Sequence, residues 1–232
     1  YPELNLNYAP NPVATCSDDT ITFEKLTSTG GTASLSWDFM DGNSGTTTFT
    51  DVPHFYTNVT DYDFVEDVVV IATQPNGCTK QQLVPVRVHP RVSAKFTFST
   101  SDVCAYPLPV DFVNSSKFST AQTGVNTTFD WDYGYEWNSI WEEETLTSSS
   151  PHSHNFYNAE ADAISNYTIT LTTSQTHDVS GLTCPDTATR QLSVYPELIA
   201  TIDIPIDQGC NPLDVSFVNT STGILPSLGG TY

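Results

Sequence analysis

The chain has 232 residues, with 27 acidic against 7 basic side chains, a net charge of -20 and a pI near 4.1. So few cations cannot displace counterions from phosphates, which excludes nucleic acid as a partner and disfavours anionic membrane surfaces. A hydrophobic fraction of 38 % with 12 Phe, 11 Tyr and 4 Trp is too apolar for a disordered tail. The longest obvious apolar run, Val68 to Ala72, falls far short of the roughly 20 residues that cross a bilayer, so no membrane insertion is expected of this segment.

Along the chain, Tyr1-Pro2, His89-Pro90 and Tyr195-Pro196 each open a run with period-two alternation. The inward residues of these runs are Leu4, Leu6 and Tyr8, then Val92, Ala94, Phe96 and Phe98, then Leu198, Ala200, Ile202 and Ile204. A cysteine follows each proline at the same distance: Cys16, Cys104 and Cys210. Next come Ile21-Thr22-Phe23, Val110-Asp111-Phe112 and Val215-Ser216-Phe217, and after them Leu35-Ser36-Trp37-Asp38-Phe39 and Phe129-Asp130-Trp131-Asp132-Tyr133. His54/Tyr56 and His154/Phe156, the second cysteines Cys78 and Cys184, and a closing strand complete each copy.

From cysteine to cysteine the first copy spans 88 residues and the second 106; the excess falls six residues at a time between strands, leaving the ends fixed. Such self-similarity is the signature of a repeat array. Short alternating segments broken by Gly, Asn, Asp, Ser and Pro predict an all-β chain of tandem Ig-like antiparallel β-sandwiches, and no helical period is convincing. The expected domains are 1–90, 91–196 and a truncated third copy at 197–232. Because that copy reaches Tyr232 before its tryptophan, the expectation is an interior piece of a longer array.

Trp37-Asp38-Phe39-Met40-Asp41-Gly42, with Ile21-x-Phe23 upstream and His54-x-Tyr56 downstream, resembles the PKD (polycystic-kidney-disease) domain and its W-D-F-G-D-G signature. The second copy is similar through Phe112-Val113-Asn114-Ser115-Ser116, Trp131-Asp132-Tyr133-Gly134 and His154-x-Phe156. Met40 replaces the family's Gly, Tyr135-Glu136 its Asp-Gly and Lys25 its Asn, so the turn after the Trp strand is expected to differ between copies. Together with the cysteines and Tyr-Pro boundaries, the repeat resembles the arrays in very large surface proteins of gliding bacteria. That resemblance implies type IX export and a non-catalytic role as adhesin or surface filament in attachment or gliding, with neighbouring repeats of the same chain as partners. The module also occurs as a spacer in secreted chitinases and collagenase-like proteases. The alternative is therefore an accessory spacer or substrate-binding region of a polysaccharide- or protein-degrading enzyme.

Trp37 and Trp131 read as core anchors. Trp137 and Trp141, beside Glu142-Glu143-Glu144, are the candidates for contact with a polysaccharide or other surface ligand. His152 and His154 have metal-like spacing but lack a third ligand of recognisable spacing, so no metal is assigned. Asp38, Asp41, Asp130 and Asp132 could hold calcium in principle; turn hydrogen bonds are the preferred reading, and no cofactor is assigned. With no G-x-S-x-G elbow, H-E-x-x-H pair or phosphate-cradling loop, no enzyme is expected.

The disulfide candidates are Cys16, Cys78, Cys104 and Cys184, suited to an oxidising exterior. Because each full copy has one cysteine of each kind, Cys16–Cys78 and Cys104–Cys184 are favoured, leaving Cys210. An Ig-like order places the two cysteines of one copy at opposite poles, about 23 Å apart, whereas bridged Cα atoms come within about 7 Å. Either the segment before the second strand doubles back or Cys16 pairs with Cys184. Thr20 and Thr187, each in an Asp-Thr-apolar context, resemble O-glycan acceptors of such bacteria. Of the N-x-S/T sequons at Asn58, Asn114, Asn126, Asn166 and Asn219, those at Asn114 and Asn219 read as turn-forming.

Overall fold

Alternation carries directly into strands in the computed structural model, which describes residues 4–29, 33–48, 50–104, 109–137, 139–158, 160, 163–206 and 208–223. The first repeat contributes β1 (Asn5–Asn11), β2 (Ala14–Cys16), β3 (Asp19–Thr29), β4 (Ser34–Asp38), β5 (Ser44–Thr47), β6 (Val52–Tyr56), β7 (Phe64–Thr73) and β8 (Thr79–His89). They form a three-stranded sheet ordered β1-β3-β6 and a five-stranded sheet ordered β2-β8-β7-β4-β5. Leu6, Tyr8, Ile21, Phe23, Val52 and Tyr56 of the smaller sheet share one core with Leu35, Trp37, Val68, Val70, Val84 and Val86 of the larger. Two sheets packed face to face over alternating inward residues make a β-sandwich.

The second repeat supplies β9 (Phe96–Phe98), β10 (Asp102–Cys104), β11 (Pro109–Asn114), β12 (Val125–Trp137), β13 (Ile140–Leu146), β14 (His152–Asn155), β15 (Ser165–His177) and β16 (Leu182–Tyr195). Its orders, β14-β11-β9 and β10-β16-β15-β12-β13, reproduce those of the first repeat strand for strand. The aromatic packing repeats as well. Tyr8 and Phe23 lie 5.0 and 5.3 Å from the Trp37 ring, and Phe96 and Phe112 lie at the same two distances from Trp131. Both tryptophans are buried.

One difference follows from a single residue. Opposite Leu35, Thr47 accepts the Trp37 Nε1–H bond at 2.9 Å. Opposite Phe129 stands Leu146, and the buried Trp131 Nε1–H has no partner.

The turn after each Trp strand differs between copies, as expected: β4 ends at Asp38 and the chain reverses before β5, whereas β12 runs on past a bulge at residues 132–136 to Trp137. One feature is nonetheless common to both. Met40 takes φ +65° and Gly134 φ +75°, so the same left-handed residue occurs three positions after each tryptophan. Asp38 Oδ1 accepts the Met40 N–H at 3.0 Å and Asp132 Oδ1 the Gly134 N–H at 2.7 Å. The Asx turn, rather than the glycine, specifies the conformation.

In the third copy β17 (Ile202–Asp203) pairs with β18 (Val218–Asn219). Its register is shared, since Tyr8↔Lys25, Phe96↔Asn114 and Ile202↔Asn219 are equivalent pairs. Ile202 and Phe217 are exposed there. Tyr1-Pro2-Glu3 and residues 224–232, including Tyr232, lie outside the described residues. The chain forms two compact units. Unit 1 comprises Tyr1–Ser93, Lys117–Thr128 and Thr173–Asp186; unit 2 comprises Ala94–Ser116, Phe129–Thr172 and Thr187–Tyr232.

Candidate functional site

Unit 1 brings Asp63, His89 and His177 together. Asp63 immediately precedes β7, His89 ends β8, His177 ends β15, and Ser180 sits in the turn before β16. His89 is fully buried, with Nδ1 2.8 Å from Asp63 Oδ1 and Nε2 2.8 Å from Ser180 Oγ. Arg87 donates to the other carboxylate oxygen of Asp63. The His177 ring stacks on His89 with centroids 3.7 Å apart and planes 15° from parallel. Burial pushes the Asp63 carboxyl upward, but hydrogen bonds from Gln122, His89 and Arg87 outweigh it and hold the group below its usual range. Burial, then the neighbouring His89, lowers His177, which is therefore neutral near pH 7.

The order Asp63–His89–Ser180 is that of a nucleophile relay, but the backbone beside Ser180 is already committed. Gly181 N–H donates to His177 O at 2.7 Å, and Leu182 N–H to Ser180 Oγ at 3.2 Å. Neither is free to receive an oxyanion. A cavity of about 290 Å3 is lined by Asp63, Arg87, His89, Gln122 and His177 among others. Two of its lining residues hold buried side-chain atoms without a partner, Gln122 Oε1 and His177 Nε2.

Unit 1 also holds the disulfide, and here the structure corrects the favoured pairing. Cys16 is bonded to Cys184 with Cα atoms 5.6 Å apart, while Cys78 and Cys104 are free and exposed, as is Cys210. β2 runs parallel to the end of β8, setting Cys16 beside His89, whereas Cys78 precedes Thr79 at the start of that strand. The length of β8, about 33 Å, separates the two cysteines of one repeat. The same holds for Cys104, beside Tyr195 at the end of β16, and Cys184 near its start. Cys16–Cys78 and Cys104–Cys184 are thus both out of reach.

None of the remaining predicted residues belongs to this cluster. Trp141 is half-exposed on β13 and donates Nε1–H to Asp132 Oδ1 at 3.1 Å; the side chain of Trp137 lies outside the described residues. A groove of about 510 Å3 in unit 2 is lined by Asp130, Asp132, Glu143, Thr145, Thr170 and Thr172 among others. Thr20 and Thr187 are both exposed on strands. His152 and His154 face tyrosines, with Nε2 atoms 3.0 Å from Tyr133 Oη and 2.9 Å from Tyr135 Oη. Of the aspartates considered for calcium, Asp38 and Asp132 accept turn N–H groups, Asp130 accepts from Thr145 Oγ1, and Asp41 accepts from Asn43 N–H and lies 2.8 Å from His54 Nε2. Asn58 is buried with its amide donating to Tyr62 O and Val88 O, which closes that sequon to modification. Asn114 and Asn219 accept Ser116 and Ser221 N–H bonds, both at 3.0 Å, as turn residues.

Sequence reasoning missed Asp63, His89, His177 and Ser180 as a group. One signal was present: a histidine stands at the second boundary where the other two have Tyr1 and Tyr195. No protein-family model matches the chain, and no curated protein matches it. Among solved structures it is similar to murine CEACAM1b, with TM-score 0.32 and 14 % identity, covering 82 % of this chain and 100 % of that one. It is similar to a carbohydrate-binding module of the β-sandwich superfamily, with TM-score 0.34, 14 % identity and coverage of 82 % and 85 %. The D00–D0 domains of intimin give TM-score 0.31, 13 % identity and coverage of 82 % and 98 %. Sheet order and the packed core, rather than these likenesses, define the fold.

Proposed function

We propose that the chain is a non-catalytic, load-bearing repeat segment of a large extracellular surface protein. Its PKD-like motifs favour a bacterial adhesin or surface filament used in attachment or gliding and exported by the type IX route. The observation that carries the reading is the Cys16–Cys184 bond, which spans 168 residues of sequence. Tension applied outside the bridge passes through sulfur and bypasses the strands between these cysteines. About 570 Å of extended chain is thereby withheld from stretching. Such a bond also suits an oxidising exterior, and the net charge of -20 keeps neighbouring copies apart.

Single-molecule pulling from the two termini tests this. The oxidised chain should release a contour shorter by about 570 Å than Cys16→Ser, and reductant should abolish the difference. Full release from the oxidised chain would overturn the reading.

The half-exposed Trp141, which donates to the groove-lining Asp132 of unit 2, favours a second reading, an accessory substrate-binding region of a secreted degradative enzyme. Its test is retention on chitin, cellulose or collagen, abolished by Trp141→Ala.

A further inference from the structure

We propose that Asp63, His89 and His177 form a binding site for a divalent transition metal of the zinc class. One ligand atom from each residue lies within 4.8 Å of the others. Two donors at zinc bond lengths of about 2.0–2.2 Å sit no more than about 4.4 Å apart, so the set is a few tenths of an ångström too open for one ion as it stands. A small closure brings the set into register. Both imidazoles are buried, His89 fully and His177 with 3 % exposure.

The independent sign is what the cavity leaves unsatisfied. His177 Nε2 is buried without a hydrogen-bond partner, and so is Gln122 Oε1 on the same cavity wall. Buried polar atoms ordinarily find partners, so an unpartnered pair lining one cavity calls for an explanation. An ion accepting a lone pair from each would satisfy both. Gln122 Oε1 then supplies the fourth position of a tetrahedral set.

Donor chemistry selects the metal. Two imidazoles with one carboxylate suit Zn2+, Co2+ or Ni2+, whereas Ca2+ and Mg2+ require oxygen donors throughout. Two features oppose loading. Arg87 shares Asp63 and offsets its charge, and the imidazoles are stacked, so one ring must tilt out of the 15° arrangement to aim both nitrogens at one point. His89 must also release its hydrogen bond to Asp63 or to Ser180. The acidic chain as a whole favours cations and works the other way. The ion would hold together three segments of unit 1 distant in sequence, independently of the disulfide.

The test is titration of the intact, oxidised chain with Zn2+ and Co2+ alone, followed by X-ray absorption on the Zn2+-loaded protein. Expected are one equivalent bound, two imidazoles in the ligand shell, an intense visible Co2+ spectrum, and no competition from excess Ca2+. His177→Asn should weaken Zn2+ binding by about tenfold or more, while His154→Gln leaves it unchanged. Fewer than two imidazoles around zinc in the parent protein would overturn the proposal without relying on any variant. So would unaltered affinity in His177→Asn with the circular dichroism of the parent.

Discussion

The left-handed residue after each tryptophan offers a sharp test, because Met40 and Gly134 share one backbone conformation in different surroundings. A Cβ placed on Gly134 would lie 2.5 Å from the Thr168 carbonyl oxygen and 3.0 Å from its nitrogen, both backbone atoms of β15. Gly134→Ala therefore meets two costs. Positive φ costs about 1–2 kcal/mol for an L-residue, and moving a paired strand by about 1 Å adds about 1–3 kcal/mol of overpacking. The expected loss is about 2–5 kcal/mol. At Met40 only the conformational cost applies. Met40→Gly recovers about 1–2 kcal/mol and loses about 0.5–1 kcal/mol to the greater freedom of glycine in the unfolded chain. A net gain of about 0–1.5 kcal/mol is expected. Urea unfolding of the oxidised protein, followed by tryptophan fluorescence, measures both. A Gly134→Ala loss below about 1 kcal/mol, or a Met40→Gly loss of that size, would refute the reasoning.

Thr47→Val should cost about 1–2 kcal/mol by stranding the buried Trp37 Nε1–H. Leu146→Thr, which provides Trp131 with the matching partner, should cost measurably less than Leu146→Ala in the same denaturation assay. Asn58→Ala removes the amide that satisfies Tyr62 O and Val88 O and should cost about 3 kcal/mol by calorimetry. His154 is held down to about 4 by burial, then by the neighbouring His152. The unfolded chain takes up that proton near pH 6.5 and the folded chain only near 4, so stability is complete above 6.5 and falls as pH drops through 4. Urea midpoints between pH 7 and pH 4 should decline, and His154→Gln should flatten the slope.

Fold and core were legible because each apolar position recurs: Tyr8 and Phe96, Phe23 and Phe112, Trp37 and Trp131 fall at matched places in two copies and occupy matched places in space. That the turns after the two tryptophans differ was legible from Met40 and Tyr135-Glu136; that they share one left-handed residue was not, because Asp38 in the first copy and Asp132 in the second each fix it through an Asx turn, with Met in one case and Gly in the other. Cysteine pairing resisted counting, because proximity depends on how β2 aligns with β8 and not on the tally per repeat. Of the Asp63–His89–His177 group only His89 left a trace in the sequence, at the second boundary, because its members come from segments that only the folded chain brings together.

In both full repeats a short strand near the start runs parallel to the closing strand, with Ala14, Thr15 and Cys16 opposite Arg87, Val88 and His89, and Asp102, Val103 and Cys104 opposite Ser193, Val194 and Tyr195. When such a repeat is drawn out from its two ends, the forces on these paired strands point in opposite senses along a common axis. The rungs between them are sheared together instead of being unzipped one after another. Loss of the sulfur bond would therefore leave a second, purely non-covalent brake, and one that every further copy of the repeat would bring with it.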